Sequence, residues 1–150
     1  MDETVLAYIF KQDKVLMLYR NKKKNDINEG KWMGVGGHLE KGETPDQALK
    51  REVKEETNLD VKEYQLLGVI YFSTGEYHEK MYLYKVNEAV GELIECNEGD
   101  LSYIDKKDLL SLNMWEGDRI FLQYMENEEP YFELELVYDN DTLMRWKRLK

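Results

Sequence analysis

Hydrophobic and polar residues along the chain alternate mostly with the short periods of β-strands. Residues 5–10 and 15–20 are two early apolar runs, and the polar turn between them predicts a pair of adjacent strands. Further strands are predicted at 65–73, 80–87, 101–104, 131–138 and 143–146. The sequence Asp139-Asn140-Asp141 separates the last two segments and indicates a hairpin turn. The chain is therefore rich in strands.

One segment between these strands has the end signals of a helix. Thr44 is a good N-cap, Pro45 suits the first helical position, and Gln47 completes a Thr-x-x-Gln capping box. At the other end, Asn58 tolerates the left-handed conformation that ends many helices. The sequence therefore predicts a helix over residues 45–57.

A second helix is predicted at residues 118–125, where Ile120, Phe121 and Tyr124 recur at helical spacing. Helices before and after sheet segments favour an α/β fold, in which a central mixed sheet carries helices on both faces. The 150 residues, 42% of them hydrophobic, suit one domain over residues 1–150.

The first predicted helix carries three carboxylates on one side. Glu52, Glu55 and Glu56 are related by spacings of three and four residues, so their side chains reach a common point. Each like-charge pair at this spacing costs about 0.2–0.5 kcal/mol on an exposed helix. A divalent cation would offset the repulsion, and oxygen ligands favour Mg²⁺, with Mn²⁺ as a second possibility. The alternative is a solvated charged face.

Three glycines precede this helix and favour a metal site over a solvated charged face. Gly34, Gly36 and Gly37 follow the segment around Trp32, which predicts a short strand, and they allow the backbone to approach a ligand closely. Together with Glu43, Arg51 and the three glutamates, these glycines form a long pattern at fixed spacing. That pattern resembles the Nudix box of nucleoside-diphosphate-linked hydrolases.

The resemblance implies the Nudix fold and a role for each matching residue. It implies that Glu52 and Glu56 bind divalent metal and that Glu55 binds metal or assists the base. The carbonyl of Gly36 is expected to add a ligand. Glu43 and Arg51 are expected to brace the loop against the helix. Asn58 stands where the family normally has glycine, but asparagine also adopts positive φ, so we expect activity to survive.

A fourth carboxylate is expected from Glu98, because Nudix members often supply one from the corresponding loop. The alternative is an ordinary loop acid, since acidic residues are common in polar loops. Either Glu55 or Glu98 is a candidate for the general base that takes a proton from the attacking water.

Charge supports a metal-dependent reaction. The chain has 21 Lys and Arg residues against 31 Asp and Glu, a formal net charge of −10. A nucleoside triphosphate would be repelled unless bound Mg²⁺ bridged its phosphates to the carboxylates. The same acidic balance disfavours stable binding of nucleic acid, which needs a basic surface.

Two further segments are Lys31-Trp32-Met33-Gly34-Val35-Gly36-Gly37 and Met114-Trp115-Glu116-Gly117-Asp118. They resemble the base-contacting segments of the MutT-like 8-oxo-dGTP diphosphatase branch of the family and of mammalian oxidised-purine nucleoside triphosphatases. This resemblance implies that Trp115 stacks on a purine and that Asp118 hydrogen-bonds the base edge. Phe72, Met81 and Met33 match further pocket positions. The alternative is structural: Trp115 covers the core and Asp118 caps the following helix.

The pattern departs from the mammalian enzymes at two of these positions. Met33 replaces an asparagine that contacts the base, and Gly117 replaces one of two adjacent aspartates. Loss of a polar partner normally lowers discrimination between related substrates.

The function expected from these residues is Mg²⁺-dependent hydrolysis of oxidised purine nucleoside triphosphates to the monophosphate and pyrophosphate. Two alternatives stay open. The chain could hydrolyse another nucleoside diphosphate derivative, such as a nucleotide sugar, a dinucleoside polyphosphate or an RNA cap. It could also bind nucleotides without catalysis, although all three box glutamates are present.

Targeting signals are not visible in the chain. The acidic start Met1-Asp2-Glu3 does not resemble a signal peptide, and no apolar run approaches the ~20 residues of a membrane helix. Cys96 is the only cysteine, which excludes an intrachain disulfide. We therefore expect a cytoplasmic protein that does not bind membranes and is a monomer or homodimer.

Overall fold

Nine strands form one mixed sheet in the computed structural model, which describes residues 1–150. The strands are β1 (Asp2–Lys11), β2 (Lys14–Arg20), β3 (Trp32–Met33), β4 (Val35–His38), β5 (Asp60–Thr74), β6 (Tyr77–Val90), β7 (Gly99–Asp105), β8 (Phe132–Asp139) and β9 (Thr142–Arg148). The helices are α1 (Pro45–Thr57) and α2 (Glu116–Glu126), and a short 3₁₀ helix spans Lys106–Ser111.

Strand β1 lies in the interior of the sheet and positions the glycine-rich segment. On one edge it pairs antiparallel with β2 and with β4, where Leu6 is opposite Gly36. On the other edge it pairs parallel with β6. The strand order is β3-β2-β1-β6-β5-β8-β9, with β4 added to β1 and β7 to β2. Strand β4 then leads into α1 through the loop 39–44.

Side chains of β1 alternate between two apolar clusters, one on each face of the sheet. Ala7 and its neighbours pack in a cluster with Leu49 and Val53 of α1. Tyr8 faces the opposite side and packs in a cluster with Phe121 of α2. Full burial of a side chain such as Leu49 stabilises the fold by about 1.5–3 kcal/mol. The predicted α/β architecture with helices on both faces is therefore confirmed.

The predicted ends of α1 are confirmed in detail. The Thr44 hydroxyl accepts a hydrogen bond from the Gln47 N–H at 3.2 Å, and the Gln47 side chain accepts one from the Thr44 N–H at 3.0 Å. Asn58 ends the helix in the left-handed conformation with φ of 70°. Both ends thus follow from local side-chain chemistry.

Several boundaries differ from the prediction. Strands β5 and β6 are longer than the apolar cores at 65–73 and 80–87, because the two strands pair along their polar ends as well. Their register shifts between Val61 and Glu63 and again before Gly68, so β-bulges interrupt the alternation of side chains. The 3₁₀ helix Lys106–Ser111 was not predicted, and α2 begins two residues earlier than expected.

The hairpin predicted at the end of the chain is confirmed. Strands β8 and β9 pair antiparallel, and Asn140 takes positive φ in the turn between them.

None of the helices combines the length and the apolar character needed to cross a membrane.

Candidate active site

Arg51 of α1 organises the charged end of the candidate site. Its guanidinium donates to both carboxylate oxygens of Glu43, at 2.7 and 2.8 Å, and to the His38 carbonyl at 3.0 Å. The same group donates to Glu52 at 2.8 Å and to Glu55 at 3.2 Å. The Arg51 hydrogen bonds lower the pKa of Glu43 to about 2. Arg51 therefore joins the loop before α1 to two of the three helical glutamates.

The glycines leave room for the backbone and for one of these carboxylates. A Cβ at Gly37 would lie 2.6 Å from the Glu52 carboxylate carbon, and a Cβ at Gly36 would lie 1.9 Å from the Val5 carbonyl oxygen. The approach to the Val5 backbone excludes a side chain at Gly36, whereas a side chain at Gly37 would displace the Glu52 carboxylate. The glycine segment thus allows β4 to pair with β1 and Glu52 to lie directly over β4.

Glu56 is the most deeply placed of the box carboxylates. Its Oε2 atom is buried and has no hydrogen-bond partner. Burial, together with the nearby carboxylates of Glu98 and Glu52, raises the pKa of Glu56 to about 9. A carboxylate that is buried beside two others needs either a proton or a cation to balance its charge. Glu56 therefore has the environment expected of a metal ligand.

A second arginine connects this carboxylate group to the loop 21–31. Arg20 at the end of β2 forms ion pairs with Glu98 at 3.2 Å and with Asp26 at 2.8 Å. Its guanidinium also lies 3.9 Å from the Met33 sulfur. The Asp26 side chain is only 7% exposed, so this part of the loop is anchored to the sheet.

A divalent cation requires several oxygen ligands that converge on one point. No three acidic, histidine or cysteine side chains converge closely enough to form a finished metal site. Arg51 holds Glu52 and Glu55, and Arg20 holds Glu98, so these carboxylates are paired with arginines. The unpartnered Glu56 oxygen and the all-oxygen donor set nevertheless fit Mg²⁺ or Mn²⁺.

Aromatic side chains form the other end of the candidate site, between the N-terminus of α2 and the sheet. Trp115 meets Tyr138 edge to face with ring centroids 5.5 Å apart, and Tyr138 lies 5.1 Å from Phe72. The ammonium of Lys31 lies 4.9 Å from the centre of a Trp115 ring. The indole N–H of Trp115 donates to the Asn28 side chain at 2.8 Å. Trp115 is thus held by the loop 21–31.

Asp118 lies in the first turn of α2 and makes no direct hydrogen bond or ion pair to a side chain, although the positive charges of Lys31 and Arg119 partly offset its desolvation. Helix α2 has Trp115 as its N-cap, without a side-chain capping bond. The alternative in which Asp118 caps α2 is therefore wrong, because the helix begins two residues before it. Desolvation and the negative charge of Glu79 raise the pKa of Asp118 to about 7.

The remaining predicted pocket residues lie on the same face of the sheet. Met33, Phe72 and Met81 are partly buried and pack against the apolar cluster that contains Tyr8 and Phe121. A series of contacts runs from the carboxylates to this pocket: Glu98 to Arg20, Arg20 to Asp26, Asp26 to the Asn28 backbone, and Asn28 to Trp115. The two ends of the site are therefore connected.

Four residues of this arrangement were missed by sequence reasoning: Arg20, Asp26, Asn28 and Tyr138. Tyr138 reads as an ordinary strand residue, and Asp26 and Asn28 read as polar loop residues. Their roles depend on contacts between segments distant in sequence, which no local pattern reveals. Arg20 is the last residue of an otherwise apolar strand, which is the one local indication.

Comparison with known proteins assigns the chain to a family. The model of the NUDIX domain matches residues 2–125. A relative from Danio rerio named oxidized purine nucleoside triphosphate hydrolase is 28% identical over 127 residues, which cover 83% of this chain and 81% of the relative. A relative from Proteus vulgaris named 8-oxo-dGTP diphosphatase is 38% identical over 76 residues, which cover 48% of this chain and 68% of the relative.

A solved structure shares the fold over nearly the whole chain. The crystal structure of a MutT protein from Bacillus halodurans superposes with a TM-score of 0.90 at 24% identity, covering 99% of this chain and 98% of the other.

Proposed function

The chain belongs to the Nudix family and is a Nudix hydrolase, and on that premise we propose that it hydrolyses oxidised purine nucleoside triphosphates to the monophosphate and pyrophosphate. The observation that carries the proposal is the carboxyl group of Asp118 in the first turn of α2, directly after Trp115, whose indole is connected to Glu98 through Asn28, Asp26 and Arg20. The names of the relatives from Danio rerio and Proteus vulgaris agree with this substrate class.

The charged end would hold the metal. Glu52, Glu56 and Glu98 are the proposed ligands, with Glu55 and the Gly36 carbonyl completing the set. Mg²⁺ bound there would neutralise phosphate oxygens and lower the pKa of a bound water. Arg51 and Glu43 are positioning residues, because their bidentate pair fixes the loop against α1.

Proton transfer falls to a carboxylate near the scissile anhydride. Glu55 and Glu98 are the two candidates for the base. The Glu55 side chain is 58% exposed and has one contact with Arg51 at 3.2 Å, so it is free to swing towards an attacking water. Glu98 is 33% exposed and is paired with Arg20. Each would accept the proton of the water that attacks phosphorus.

The aromatic end would select the base. Trp115 would stack on the purine, a contact worth about 1–3 kcal/mol per base in single-strand recognition. Asp118 would bind the polar edge of the purine, and Phe72, Met81 and Met33 would enclose its apolar surface. Because Asn28 holds the indole N–H, the plane of Trp115 is set before a nucleotide arrives.

The test compares dGTP with 8-oxo-dGTP as substrates in the presence of Mg²⁺, resolving monophosphate and pyrophosphate as products. We expect a much higher kcat/KM for the oxidised nucleotide. The control is Glu56→Gln, which keeps the shape of the side chain and removes its charge. Equal rates on the two nucleotides would remove Trp115 and Asp118 as selectors of an oxidised base.

Product analysis also separates the alternative substrates. A nucleotide sugar, a dinucleoside polyphosphate or an RNA cap would give products other than pyrophosphate. Repeating the assay with Mn²⁺ in place of Mg²⁺ tests the choice of metal. If the protein hydrolysed one of these compounds with metal but barely hydrolysed either triphosphate, the proposed substrate class would be wrong. The proposed metal site at the carboxylates would still stand.

A further inference from the structure

The loop that carries Glu98 has no regular secondary structure of its own. Residues 91–98 join β6 to β7 and form neither helix nor strand. Near the start of this loop, the Asn58 side chain donates to the Glu92 carbonyl at 3.0 Å, and the N–H of Ile94 donates to the last residue of α1 at 3.2 Å. These contacts lie at least four residues before Glu98. They therefore fix the start of the loop and leave the position of the carboxylate to other contacts.

The end of the loop lies beside the end of β2. Antiparallel pairing of β2 with β7 sets Arg20 opposite Gly99. The next backbone contact along this pair joins the Lys22 N–H to the Glu98 carbonyl at 3.4 Å. The register of the two strands thus brings the side chain of Lys22 to the loop 91–98.

The ammonium of Lys22 contacts the chain on both sides of Glu98. It donates to the Glu95 carboxylate and to the Cys96 carbonyl, each at 3.0 Å, and it forms an ion pair with Asp100 at 3.7 Å. An ammonium group has three N–H donors and no acceptor, so it can serve carboxylates and a carbonyl together. Two residues before Glu98 and one residue after it therefore converge on a single cation.

The position of Glu98 needs such support because other carboxylates lie near it. Beyond the effect of burial, the charge of Glu98 raises the pKa values of Glu56 and Glu52. Before a metal binds, this repulsion favours positions of Glu98 away from the other two carboxylates. Arg20 pairs with the Glu98 carboxylate at 3.2 Å, whereas Lys22 holds the backbone that carries it. A loop that is ordered in advance loses less conformational entropy when a ligand binds.

We propose that Lys22 positions Glu98 for metal binding by fixing the loop on both sides of it. This inference rests on the proposed function, because it takes Glu98 to be a metal ligand. The ammonium acts through the loop and not on the reacting atoms, so Lys22 is a positioning residue.

The two lysines that follow Lys22 supply matched controls. Lys23 and Lys24 are exposed in the same polar segment and form no ion pair. Replacing any of the three lysines by methionine makes an already acidic protein more negative by one charge. A general charge effect would therefore strengthen cation binding in all three variants. Loss of positioning would instead weaken it in Lys22→Met alone.

The test measures Mn²⁺ binding to the full chain without nucleotide, from the electron paramagnetic resonance signal of free Mn²⁺, because carboxylate sites accept Mn²⁺ as well as Mg²⁺. Thermal unfolding in a chelator is recorded for each variant. Hydrolysis of dGTP and 8-oxo-dGTP at varied Mg²⁺ is measured in parallel.

For Lys22→Met we expect Mn²⁺ to bind about 10-fold more weakly, at the low end of the range for groups that orient metal ligands. Higher Mg²⁺ should restore kcat. Lys23→Met and Lys24→Met should bind Mn²⁺ as the wild type does or more tightly, and Lys22→Arg should recover most of the affinity. The unfolding temperature in chelator should change little in Lys22→Met, because Glu95 and Asp100 are 86% and 62% exposed.

A double-mutant cycle shows whether Lys22 acts through Glu98. If it does, Lys22→Met should add little to the loss of Mn²⁺ affinity in Glu98→Gln, because the residue that it positions has already lost its charge. A further 10-fold loss in the double variant would mean that Lys22 acts elsewhere and would overturn the proposal.

The other outcomes separate this proposal from the proposed function. Unchanged Mn²⁺ affinity in Lys22→Met would overturn the role of Lys22, and the function would stand if the wild type preferred 8-oxo-dGTP. A raised KM for nucleotide at saturating Mg²⁺, with unchanged Mn²⁺ affinity, would assign Lys22 to phosphate binding instead. Weaker Mn²⁺ binding in Lys22→Met alone, without a preference of the wild type for 8-oxo-dGTP, would support Lys22 and overturn the proposed substrate. Failure of the wild type to bind Mn²⁺ would overturn the role of Lys22 and the proposed metal site together.

Discussion

The two ends of the candidate site treat their polar groups in opposite ways. At the carboxylate end, Arg51 and Arg20 pair with nearly every acidic group, and only one oxygen of Glu56 is left buried without a partner. At the aromatic end, Asp118 makes no direct hydrogen bond or ion pair to a side chain, and Lys31 and Arg119 offset its charge only in part. Under the proposed function, the carboxylates that would bind metal are held in place by arginines, whereas the carboxyl group that would bind the base is not.

The two ends also differ in how their charged groups affect the stability of the fold. Like charges on one face of a helix repel each other, and Arg51 offsets that repulsion when it bridges Glu43, Glu52 and Glu55. Asp118 at the aromatic end is compensated less, because burial and the charge of Glu79 outweigh Lys31 and Arg119, so its ionised form destabilises the folded protein. A ligand that pairs with this carboxyl group therefore stabilises the fold by mass action when it binds.

The largest effect is expected from Glu56→Gln. Loss of the deepest carboxylate should lower kcat by on the order of 10²–10⁴-fold, the range seen when a group that acts directly in the reaction is removed. Because burial raises the pKa of Glu56 to about 9, the folded metal-free protein holds a proton there at pH 8 that the unfolded chain releases, and this difference lowers stability relative to acidic pH. The variant should therefore unfold at a higher temperature than the wild type in the presence of a chelator.

Adding Mg²⁺ provides the control for that prediction. The cation should raise the unfolding temperature of the wild type more than that of Glu56→Gln. An equal response of the two proteins to Mg²⁺ would contradict the assignment of Glu56 as a ligand and would make the two ends of the site alike.

A smaller effect is expected from Glu43→Gln, which weakens the bidentate pair with Arg51. Partners that orient metal ligands typically contribute about 10- to 100-fold in metal affinity or activity. We expect a loss of kcat/KM in that range, recovered in part by higher Mg²⁺, because Arg51 would no longer fix the loop and the helical glutamates. The measurement is kcat/KM as a function of Mg²⁺ concentration.

The matched control for Glu43→Gln is Glu40→Gln in the same loop. Glu40 lies 3.6 Å from Arg51, but its side chain is 68% exposed, so its removal should change activity little. An equal loss of activity in both variants would mean that the total negative charge of the loop, and not the bidentate pair of Glu43 with Arg51, positions the helical glutamates.

The aromatic end is tested by Asp118→Asn through the pH dependence of stability. The pKa of Asp118 is raised to about 7 in the folded protein, against an ordinary value near 4. A raised folded pKa means that stability is fully present below about pH 4 and is lost as pH rises through about 7. The free energy of unfolding of the variant should match the wild type at pH 4 and exceed it by about 1–3 kcal/mol at pH 8.

Comparing variant with wild type at each pH isolates Asp118 from the other ionisable groups around it. Those groups are Glu79, Lys31, Arg119, Tyr8 and Tyr138. Their own titration is common to both proteins and cancels in the difference. A difference independent of pH would show that Asp118 is solvated and would remove the contrast with the paired carboxylates.

Sequence patterns predicted the elements that depend on local chemistry. The capping box at Thr44 and the left-handed Asn58 fixed the limits of α1 correctly, and the alternation in residues 131–138 located β8. The spacing of the glutamates on α1 predicted that they share one side, and the fold brings Glu98 close to them as expected. These features need few contacts between distant segments.

What escaped prediction depends on distant contacts. The bulges of β5 arise from its pairing with β6, so they leave no periodic signal in either strand. Asp118 looked like a possible helix cap because its residue type favours caps, but packing of Gly117 against Leu136 and Tyr138 accompanies a helix start two residues earlier.

The smallest effect is expected from Asn28→Ala, which tests whether the loop 21–31 sets the position of Trp115. The indole N–H would lose its hydrogen-bond partner at 2.8 Å, and the Trp115 ring would become more mobile. Nucleotide binding would then have to order the ring, which lowers affinity. We expect KM for the preferred purine triphosphate to rise about 3- to 10-fold with kcat nearly unchanged, as for the loss of uniform binding. The control is Ile27→Ala, whose side chain is 70% exposed in the same loop. A fall in kcat without a rise in KM would instead mean that Asn28 acts through Asp26 and Arg20 on Glu98, so that the two ends of the site function as one unit.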